Sequence, residues 1–215
     1  MQRPLLLGHR GARAVQSIPE NSLASFDRAL ADGCDGFEFD VRLTADGEAV
    51  VWHDEDFNGF DIARTPRKDL AGLAGLEQVL ERYQQSAFLD IELKVAGLEE
   101  LVLALLEKRT PEHGFVVSSF LPEVLRSLRE RSSELPLGLI CETQAQLRRW
   151  KEIDVEYVIP HYKLVDANLT RLLKGAGKKI LVWTVNSAKQ MRRLADAGID
   201  GIISDDTELL SKLRT

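Results

Sequence analysis

Three strand-like runs of this sequence end in charged or titratable side chains rather than in ordinary turn residues. The side chains are His9, Arg10, Glu38, Asp40, Glu92 and Lys94. Side chains two positions apart share one face of a strand, so Glu38 turns with Asp40, and Glu92 turns with Lys94. Acids, cations and a histidine gathered in this way are typical of metal-assisted chemistry on a phosphate group.

The carboxylates of Glu38, Asp40 and Glu92 are predicted to hold one divalent cation. Three carboxylates that face each other cannot all stay ionised without a nearby positive charge. A ligand set made only of oxygens suits Mg²⁺ or Ca²⁺. The alternative is a buried charge network in which the acids simply pair with Arg10 and Lys94.

Two histidines, His9 and His53, are the candidate acid and base. Imidazole titrates near neutral pH, so one ring can accept a proton while the other donates one. Arg10 and Lys94 are the candidate phosphate ligands, since the planar guanidinium binds two oxygens at once and the ammonium acts as a point charge. The end of the first strand is therefore predicted to hold a phosphate.

The elements that must position these residues alternate between strand and helix. Short apolar runs are separated by segments with apolar residues at helical spacing, and Gly33, Gly177 and Gly198 stand where helices are expected to stop. This alternation predicts an α/β fold, a (β/α)₈ TIM barrel with its active site at the carboxyl ends of the strands. The competing doubly wound sheet usually has a glycine-rich phosphate loop after its first strand, and GHRGARAVQSIPENS lacks one. The predicted strands are 5–9, 36–40, 88–93, 115–119, 137–141, 157–160, 180–185 and 201–204.

The run AVVWHD (49–54) does not fit the alternation, because a parallel crossover needs about a dozen residues or more. Asp46-Gly47 is a strong hairpin signal. The sequence therefore predicts an antiparallel β-hairpin arm after strand 2. With a two-residue turn, Ala45 faces Glu48 and Asp40 faces His53, which brings this histidine to the carboxylates.

Length and composition predict one domain over 1–215 with a single core. The net charge of −6 argues against nucleic acid as a partner. Cys34 and Cys141 show neither disulfide nor zinc spacing and are expected to be buried. The apolar N-terminal run is too short for a signal peptide or a membrane span, so we expect a cytoplasmic protein without stable membrane insertion. No exposed apolar stripe indicates an oligomeric state.

The motifs together resemble one known family. HRG (9–11), PENS (19–22), EFD (38–40), HD (53–54) and ELK (92–94), with weaker matches in SSF (118–120), WTVN (183–186) and GIDGIISD (198–205), resemble the signature of the glycerophosphodiester phosphodiesterase family. The resemblance spans nearly the whole chain in the order of that family.

This resemblance implies a (β/α)₈ barrel that hydrolyses glycerophosphodiesters to glycerol 3-phosphate and an alcohol with a divalent metal. It implies the same metal ligands, the same histidine pair and the same phosphate-binding cations that the spacing indicates. It adds Glu20, near the metal or the substrate hydroxyls, although a charge at a helix N-terminus is the simpler interpretation. In the usual account of the family the glycerol 2-hydroxyl attacks phosphorus, and water opens the cyclic phosphate that results. Trp183 is expected to pack against the glycerol or the leaving alcohol, or to be plain core.

Two features of the sequence leave the identity of the substrate undecided. The loop 12–18 is longer than the family leads one to expect, and the last motif reads SDDTE without a proline after the first aspartate. The enzymatic alternative is a lysophospholipase D-like activity on lysolipids, which requires an apolar groove near ARAVQSI (12–18) or FNGF (57–60). The alternative from another class is a barrel that binds a glycerophosphodiester without cleaving it.

Overall fold

The computed structural model describes residues 3–214, within which strands and helices alternate. The strands are β1 (Leu5–His9), β2 (Gly36–Leu43), β3 (Ala49–Val51), β4 (Asp56–Phe57), β5 (Phe60–Asp61), β6 (Ala74–Gly75), β7 (Phe88–Leu93), β8 (Phe115–Ser119), β9 (Leu137–Cys141), β10 (Tyr157–Pro160), β11 (Lys179–Val182) and β12 (Gly201–Ser204). The α-helices are α1 (Leu23–Ala31), α2 (Leu76–Tyr83), α3 (Glu99–Lys108), α4 (Pro122–Arg131), α5 (Gln144–Arg148), α6 (Ala167–Gly175), α7 (Ala188–Asp196) and α8 (Thr207–Ser211). Short 3₁₀ helices cover Ile62–Arg64, Arg67–Asp69, Arg149–Lys151, Tyr162–Leu164 and Lys212–Arg214.

Eight parallel strands close into a barrel. Their order around it is β1, β2, β7, β8, β9, β10, β11 and β12, and β12 pairs again with β1. An α-helix follows each of these strands in the chain, although the hairpin arm comes between β2 and α2. The predicted (β/α)₈ barrel is confirmed. None of the helices in residues 3–214 is long and apolar enough to cross a bilayer.

Most predicted element boundaries agree with the structure. The helices α1, α6 and α7 end just before Gly33, Gly177 and Gly198, whose φ angles are 101°, 73° and 73°. The last turn of each helix therefore closes on a residue that tolerates the left-handed conformation. The predicted strand 180–185 is shorter than expected, because regular pairing stops at Val182 and Trp183 makes only an isolated bridge with His161.

The barrel has an inner and an outer apolar layer, and β2 contributes no residue to the inner layer. The inner cluster takes residues from every barrel strand except β2: Leu7, Phe88, Val116, Ile140, Tyr157, Ile159, Leu181 and Ile203. The outer face of β2 carries Phe37 and Phe39, which pack against Phe26 of α1. Because side chains alternate along a strand, the acids Glu38 and Asp40 are left on the inner face.

The hairpin arm is present, but its predicted register is wrong by one residue. Val41 pairs with Val51 and Leu43 pairs with Ala49. The loop has three residues rather than two, since the Thr44 hydroxyl donates to Asp46 and the Glu48 N–H donates back to the Thr44 hydroxyl. Three-residue hairpin loops of this kind place a left-handed residue last, here Gly47 with a φ of 82°.

The one-residue shift places Trp52, not His53, opposite Asp40. The Trp52 N–H donates to the Asp40 carbonyl at 3.0 Å. His53 lies beyond the end of β3, where its carbonyl accepts a hydrogen bond from Arg42 Nε at 2.8 Å. The arm therefore still brings His53 to the mouth of the barrel, but through a loop anchored by Arg42.

We expect Gly36→Ala to lower the free energy of unfolding by about 2 kcal/mol or more, because a methyl group there overlaps the backbone carbonyl of Phe88 on the neighbouring strand. Gly175→Ala is the matched control, since a methyl group at that helical position has open space around it. We expect the control to be neutral or slightly stabilising. Urea denaturation of both variants checks this, and equal losses of stability would contradict the close approach of β2 and β7.

Candidate active site

The carboxyl ends of β1, β2 and β7 bring the predicted metal ligands together. Across the ladder His9 faces Glu38, and Asp40 faces Glu92. One carboxylate oxygen from each of Glu38, Asp40 and Glu92 lies within 4.8 Å of the others, and all three residues are buried. They are the only group of three or more acidic, histidine or cysteine ligands that meets this criterion in residues 3–214.

Two cations sit against this cluster. Lys94 Nζ lies 2.7 Å from Glu92 Oε1 and 3.3 Å from Asp40 Oδ1. Arg10 Nε lies 3.1 Å from Asp40 Oδ2, although its N–H makes no hydrogen bond there. Asn21 adds a neutral hydrogen bond to Asp40 Oδ2 at 2.8 Å. Asp40 therefore receives most of the compensating charge.

The three acids differ in pKa because this compensation is uneven. Burial alone would raise the pKa of Asp40, but Lys94 and Arg10 hold it below its usual range. Burial and the charge on Asp40 raise the pKa of Glu92 to about 7, although Lys94 partly opposes the shift. Burial, with the charges on Asp40 and Glu92, raises the pKa of Glu38 well above its usual range. The cluster thus lacks positive charge on the side of Glu38.

Glu38 also has a carboxylate oxygen without a hydrogen-bond partner. Its Oε2 accepts from the Arg10 backbone N–H at 3.0 Å, whereas its buried Oε1 has no partner. An orphaned carboxylate oxygen is expensive to bury unless a cation or a proton satisfies it. The residues present therefore fit a divalent cation held by oxygen ligands.

A fourth acid, Asp90, was not predicted. It lies across the ladder from Glu38, and the period of two in FLDIEL places it on the same face as Glu92. Ser118 donates to Asp90 Oδ1 at 2.6 Å, while Oδ2 is buried without a partner. Burial raises the pKa of Asp90 to about 7 despite the serine. The two-residue alternation of side chains in FLDIEL that identifies Glu92 also identifies Asp90, so this residue could have been predicted from the sequence.

Each candidate histidine is paired with an aspartate through Nδ1. His9 Nδ1 lies 2.7 Å from Asp205 Oδ1, and His53 Nδ1 lies 2.7 Å from Asp54 Oδ1. A carboxylate at Nδ1 favours the tautomer with the proton there and leaves Nε2 as an acceptor, which in His9 lies 3.8 Å from Glu38 Oε2. The sequence places Asp54 next to His53 and Asp205 at the end of the last strand, but spacing alone did not indicate these pairs.

The Asp205 carboxylate is itself held in place by two neighbours besides His9. Asn186 donates to its Oδ2 at 2.6 Å, and Arg13 from the loop 12–18 approaches its Oδ1 at 3.4 Å. Burial would raise the pKa of Asp205, but the hydrogen bond and the charge of His9 lower it to about 2. Asp205 is therefore a fixed anion beside His9.

The two histidines differ in burial. The His9 side chain is 11% exposed in the barrel wall, and the His53 side chain is 34% exposed on the arm. Burial lowers the pKa of His53, although its hydrogen bond to Asp54 opposes the shift. Burial of the ring therefore favours the neutral form of His53.

One cavity of about 270 Å³ is lined by most of the predicted site residues, although Asp40 and Glu20 are not among its lining. Its polar lining is His9, Arg10, Glu38, His53, Asp90, Glu92, Lys94 and Glu142, and its apolar lining is Phe120, Ile140, Ile159, Trp183 and Ile203. A larger cavity of about 800 Å³ lies at the opposite, amino-terminal end of the barrel strands, where it holds none of the carboxylate cluster. Both candidate histidines therefore meet carboxylates of the acidic cluster in the smaller cavity and not in the larger one.

Glu20 and Trp183 occupy different positions relative to this cavity. Glu20 accepts from Arg10 Nη1 at 2.6 Å and from Arg13 Nε at 2.5 Å, and it lines a neighbouring cavity rather than this one. Trp183 lines the cavity itself, and its indole N–H donates to the Ile159 carbonyl at 2.9 Å. In the structure Glu20 thus contacts cations and does not join the acidic cluster.

Comparison with known proteins identifies relatives over the whole barrel. Residues 9–102 and 84–209 match the Glycerophosphoryl diester phosphodiesterase family. The chain is 32% identical to a glycerophosphodiester phosphodiesterase of Caldanaerobacter subterraneus subsp. tengcongensis, over 98% of both chains.

Solved structures agree with this relationship. A glycerophosphodiester phosphodiesterase of Thermotoga maritima is 29% identical, with full coverage of both chains and a TM-score of 0.85. An Oleispira antarctica phosphodiesterase, solved in complex with the product sn-glycerol-3-phosphate, is 26% identical over 99% of this chain and 98% of its own, also with a TM-score of 0.85. Sequence and structure together show that the chain belongs to the glycerophosphoryl diester phosphodiesterase family.

Proposed function

We propose that the protein hydrolyses glycerophosphodiesters to glycerol 3-phosphate and an alcohol with one divalent cation, Mg²⁺ or Ca²⁺, held by Glu38, Asp40 and Glu92. The observation that carries the proposal is the buried carboxylate cluster, because its members Glu38 and Glu92 line the same cavity as the two aspartate-paired histidines. The product bound to the Oleispira antarctica relative supports the same substrate class. Residues 1–215 would form one catalytic domain.

Arg10 and Lys94 would bind the phosphate. Both side chains line the cavity and lie against the acidic cluster, so their positive charge faces the place where an anion has to sit. When bound, the divalent cation neutralises charge on the phosphoryl oxygens and makes the attacking hydroxyl more acidic. Glu20 would orient Arg10, because its carboxylate accepts from the end of that guanidinium.

His9 and His53 would transfer protons through Nε2. In the first step one ring accepts the proton of the glycerol 2-hydroxyl as its oxygen bonds to phosphorus, and the other ring protonates the oxygen of the leaving alcohol. In the second step water adds to the cyclic phosphate and the two rings exchange roles. The matched aspartate partners, Asp205 and Asp54, fit such an exchange because they support both rings in the same way.

The cavity favours a small substrate over a lysolipid. Phe57 and Phe60, the aromatic pair that a lysolipid groove would use, are absent from its lining. Phe57 instead packs against Trp52 with ring centroids 5.1 Å apart. The loop 12–18 contributes Arg13 to the neighbouring polar cavity. Neither segment forms an apolar groove for an acyl chain at this cavity.

The primary experiment measures release of glycerol 3-phosphate from glycerophosphocholine and glycerophosphoethanolamine. It is run with Mg²⁺, with Ca²⁺ and with chelator. We expect release with metal and none with chelator. Ligand-induced thermal stabilisation without any product would instead favour a binding protein.

We expect His9→Ala and His53→Ala each to lower kcat by about a hundredfold or more, because each removes one proton carrier. His113→Ala is the matched control, since that ring lies at the opposite end of the barrel, where it forms a hydrogen bond with the Gln85 carbonyl. Circular dichroism shows whether the variants are folded. Near-normal turnover in either His9→Ala or His53→Ala would exclude the assigned acid/base pair.

We expect Asp205→Asn to lower kcat by about a hundredfold with little change in KM, because an amide no longer fixes the His9 tautomer. Asp196→Asn removes an exposed aspartate charge at the end of α7 and serves as the control. Steady-state kinetics on the same diester separates kcat from KM. A rise in KM alone would assign Asp205 to substrate binding instead.

We expect metal to raise the melting temperature of the wild type and to have little effect on Glu38→Gln. In chelator the variant should be as stable as the wild type or more stable by about 1 kcal/mol, because glutamine keeps the hydrogen bond to Arg10 and removes a poorly compensated buried carboxyl group. Thermal unfolding with and without Mg²⁺ or Ca²⁺ measures both effects. An equal metal-induced rise in the two proteins would exclude Glu38 as a ligand.

A further inference from the structure

Besides the buried Asp90, the cavity is lined by one more carboxylate that belongs neither to the acidic cluster nor to the histidine pairs. Glu142 follows β9 directly, is exposed, and lines the cavity together with Phe120 and Trp183. Within residues 3–214 its side chain makes no hydrogen bond or ion pair. Its backbone N–H donates to Gln146 Oε1 at 2.9 Å at the start of α5. The local backbone is therefore satisfied without the carboxylate, which is left facing the mouth.

Aromatic rings form a corner beside this carboxylate. Phe120 meets Trp183 at 84° with ring centroids 5.5 Å apart, and His161 meets Trp183 at 77° and 5.4 Å. The Trp183 N–H is already used by the Ile159 carbonyl. Trp183 therefore offers a ligand its aromatic surface rather than a hydrogen bond.

The charge of Glu142 and the aromatic faces beside it favour the same kind of ligand. Burial and the charge of Lys163 lower the pKa of His161, and the nearby Glu142 opposes that shift. The charge of Glu142 thus reaches the ring that packs against Trp183. Aromatic faces and a carboxylate both attract a positive group, whereas a hydroxyl-rich group can use only the carboxylate, as a hydrogen-bond acceptor.

This corner begins at the proposed phosphate site. Lys94 Nζ lies 5.9 Å from the centroid of the Phe120 ring. A phosphate bound to Lys94 is therefore next to Phe120, and an ester arm that continues along the rings leads to Trp183 and Glu142. The other ester arm must keep its 2-hydroxyl near the histidines and the acidic cluster. The corner is consequently the place for the leaving alcohol.

We propose that Phe120, Trp183 and Glu142 form a subsite for a leaving alcohol that carries an alkylammonium group, as choline and ethanolamine do. The inference rests on the proposed diester hydrolysis and names the substrate class within it. Glu142 determines the preference, because its charge attracts a cationic alcohol and repels an anionic one, whereas a neutral polyol offers it hydroxyl hydrogen bonds without a compensating charge. An acyl chain in the same place would desolvate the carboxylate without compensation.

The test compares kcat/KM for glycerophosphocholine with kcat/KM for glycerophosphoglycerol, whose leaving alcohol is neutral. Wild type, Glu142→Gln and Glu107→Gln are measured in the same metal buffer. Glutamine keeps the size of the side chain and leaves the hydrogen bond from the backbone N–H of residue 142 to Gln146 Oε1 in place. Glu107 is an exposed acid on α3 outside the cavity, so its variant controls for the change in net charge.

We expect the wild type to prefer glycerophosphocholine, and the ratio of the two kcat/KM values to fall about fivefold in Glu142→Gln only. Tetramethylammonium gives a second readout as a competitive inhibitor of glycerophosphoglycerol cleavage. Its inhibition constant should rise about fivefold in Glu142→Gln and stay at the wild-type value in Glu107→Gln.

Two other outcomes are distinguishable. Cleavage of both diesters without a preference for choline, or with the same preference in Glu142→Gln, overturns the subsite and leaves diester hydrolysis standing. Absence of glycerol 3-phosphate from every diester, with folded protein and added metal, overturns the proposed function and the subsite together.

Discussion

The burial of several carboxylates at one place in the barrel is the constraint on which the rest of the site depends. Glu38, Asp40 and Glu92 lie too close to be ionised together in a buried setting without added positive charge. Lys94 and Arg10 supply part of it, mainly to Asp40. What they leave uncompensated appears as the raised pKa values of Glu38 and Glu92. The barrel thus lacks positive charge on one side of the cluster, and the proposed divalent cation would supply it.

The fold can keep the acids in this position because the outer face of β2 is fixed by packing. Phe37 stacks on Phe26 with ring centroids 4.2 Å apart, and Phe39 contacts the same ring. A shift of β2 by one residue would exchange these rings for Glu38 and Asp40, which places charge in the outer core and aromatic rings in the cavity. Apolar packing on one side of the strand therefore determines the register of the charged side.

Much of this arrangement could be predicted from sequence, because strand alternation is a short-range property. It places Glu38 with Asp40, and the glycines after the helices mark where each unit ends. The hairpin register could not be predicted in the same way, since it depends on hydrogen bonds that Thr44 makes with Asp46 and Glu48. The contact between His9 and Asp205 joins residues at opposite ends of the chain, and only closure of the barrel brings them together.

The antiparallel arm has a consequence for how this barrel can vary. Residues 52–73 leave the sheet after Val51 and return at Ala74, and these two residues pair directly. The ends of the excursion are therefore held together by the sheet itself, whatever lies between them. The entropy of closing such a loop grows slowly, by about 0.6 kcal/mol for each doubling of its length. The part of this segment beyond Asp54 is thus the place where the chain can accept insertions or lose residues while the eight barrel strands, and the charges they carry, keep their positions.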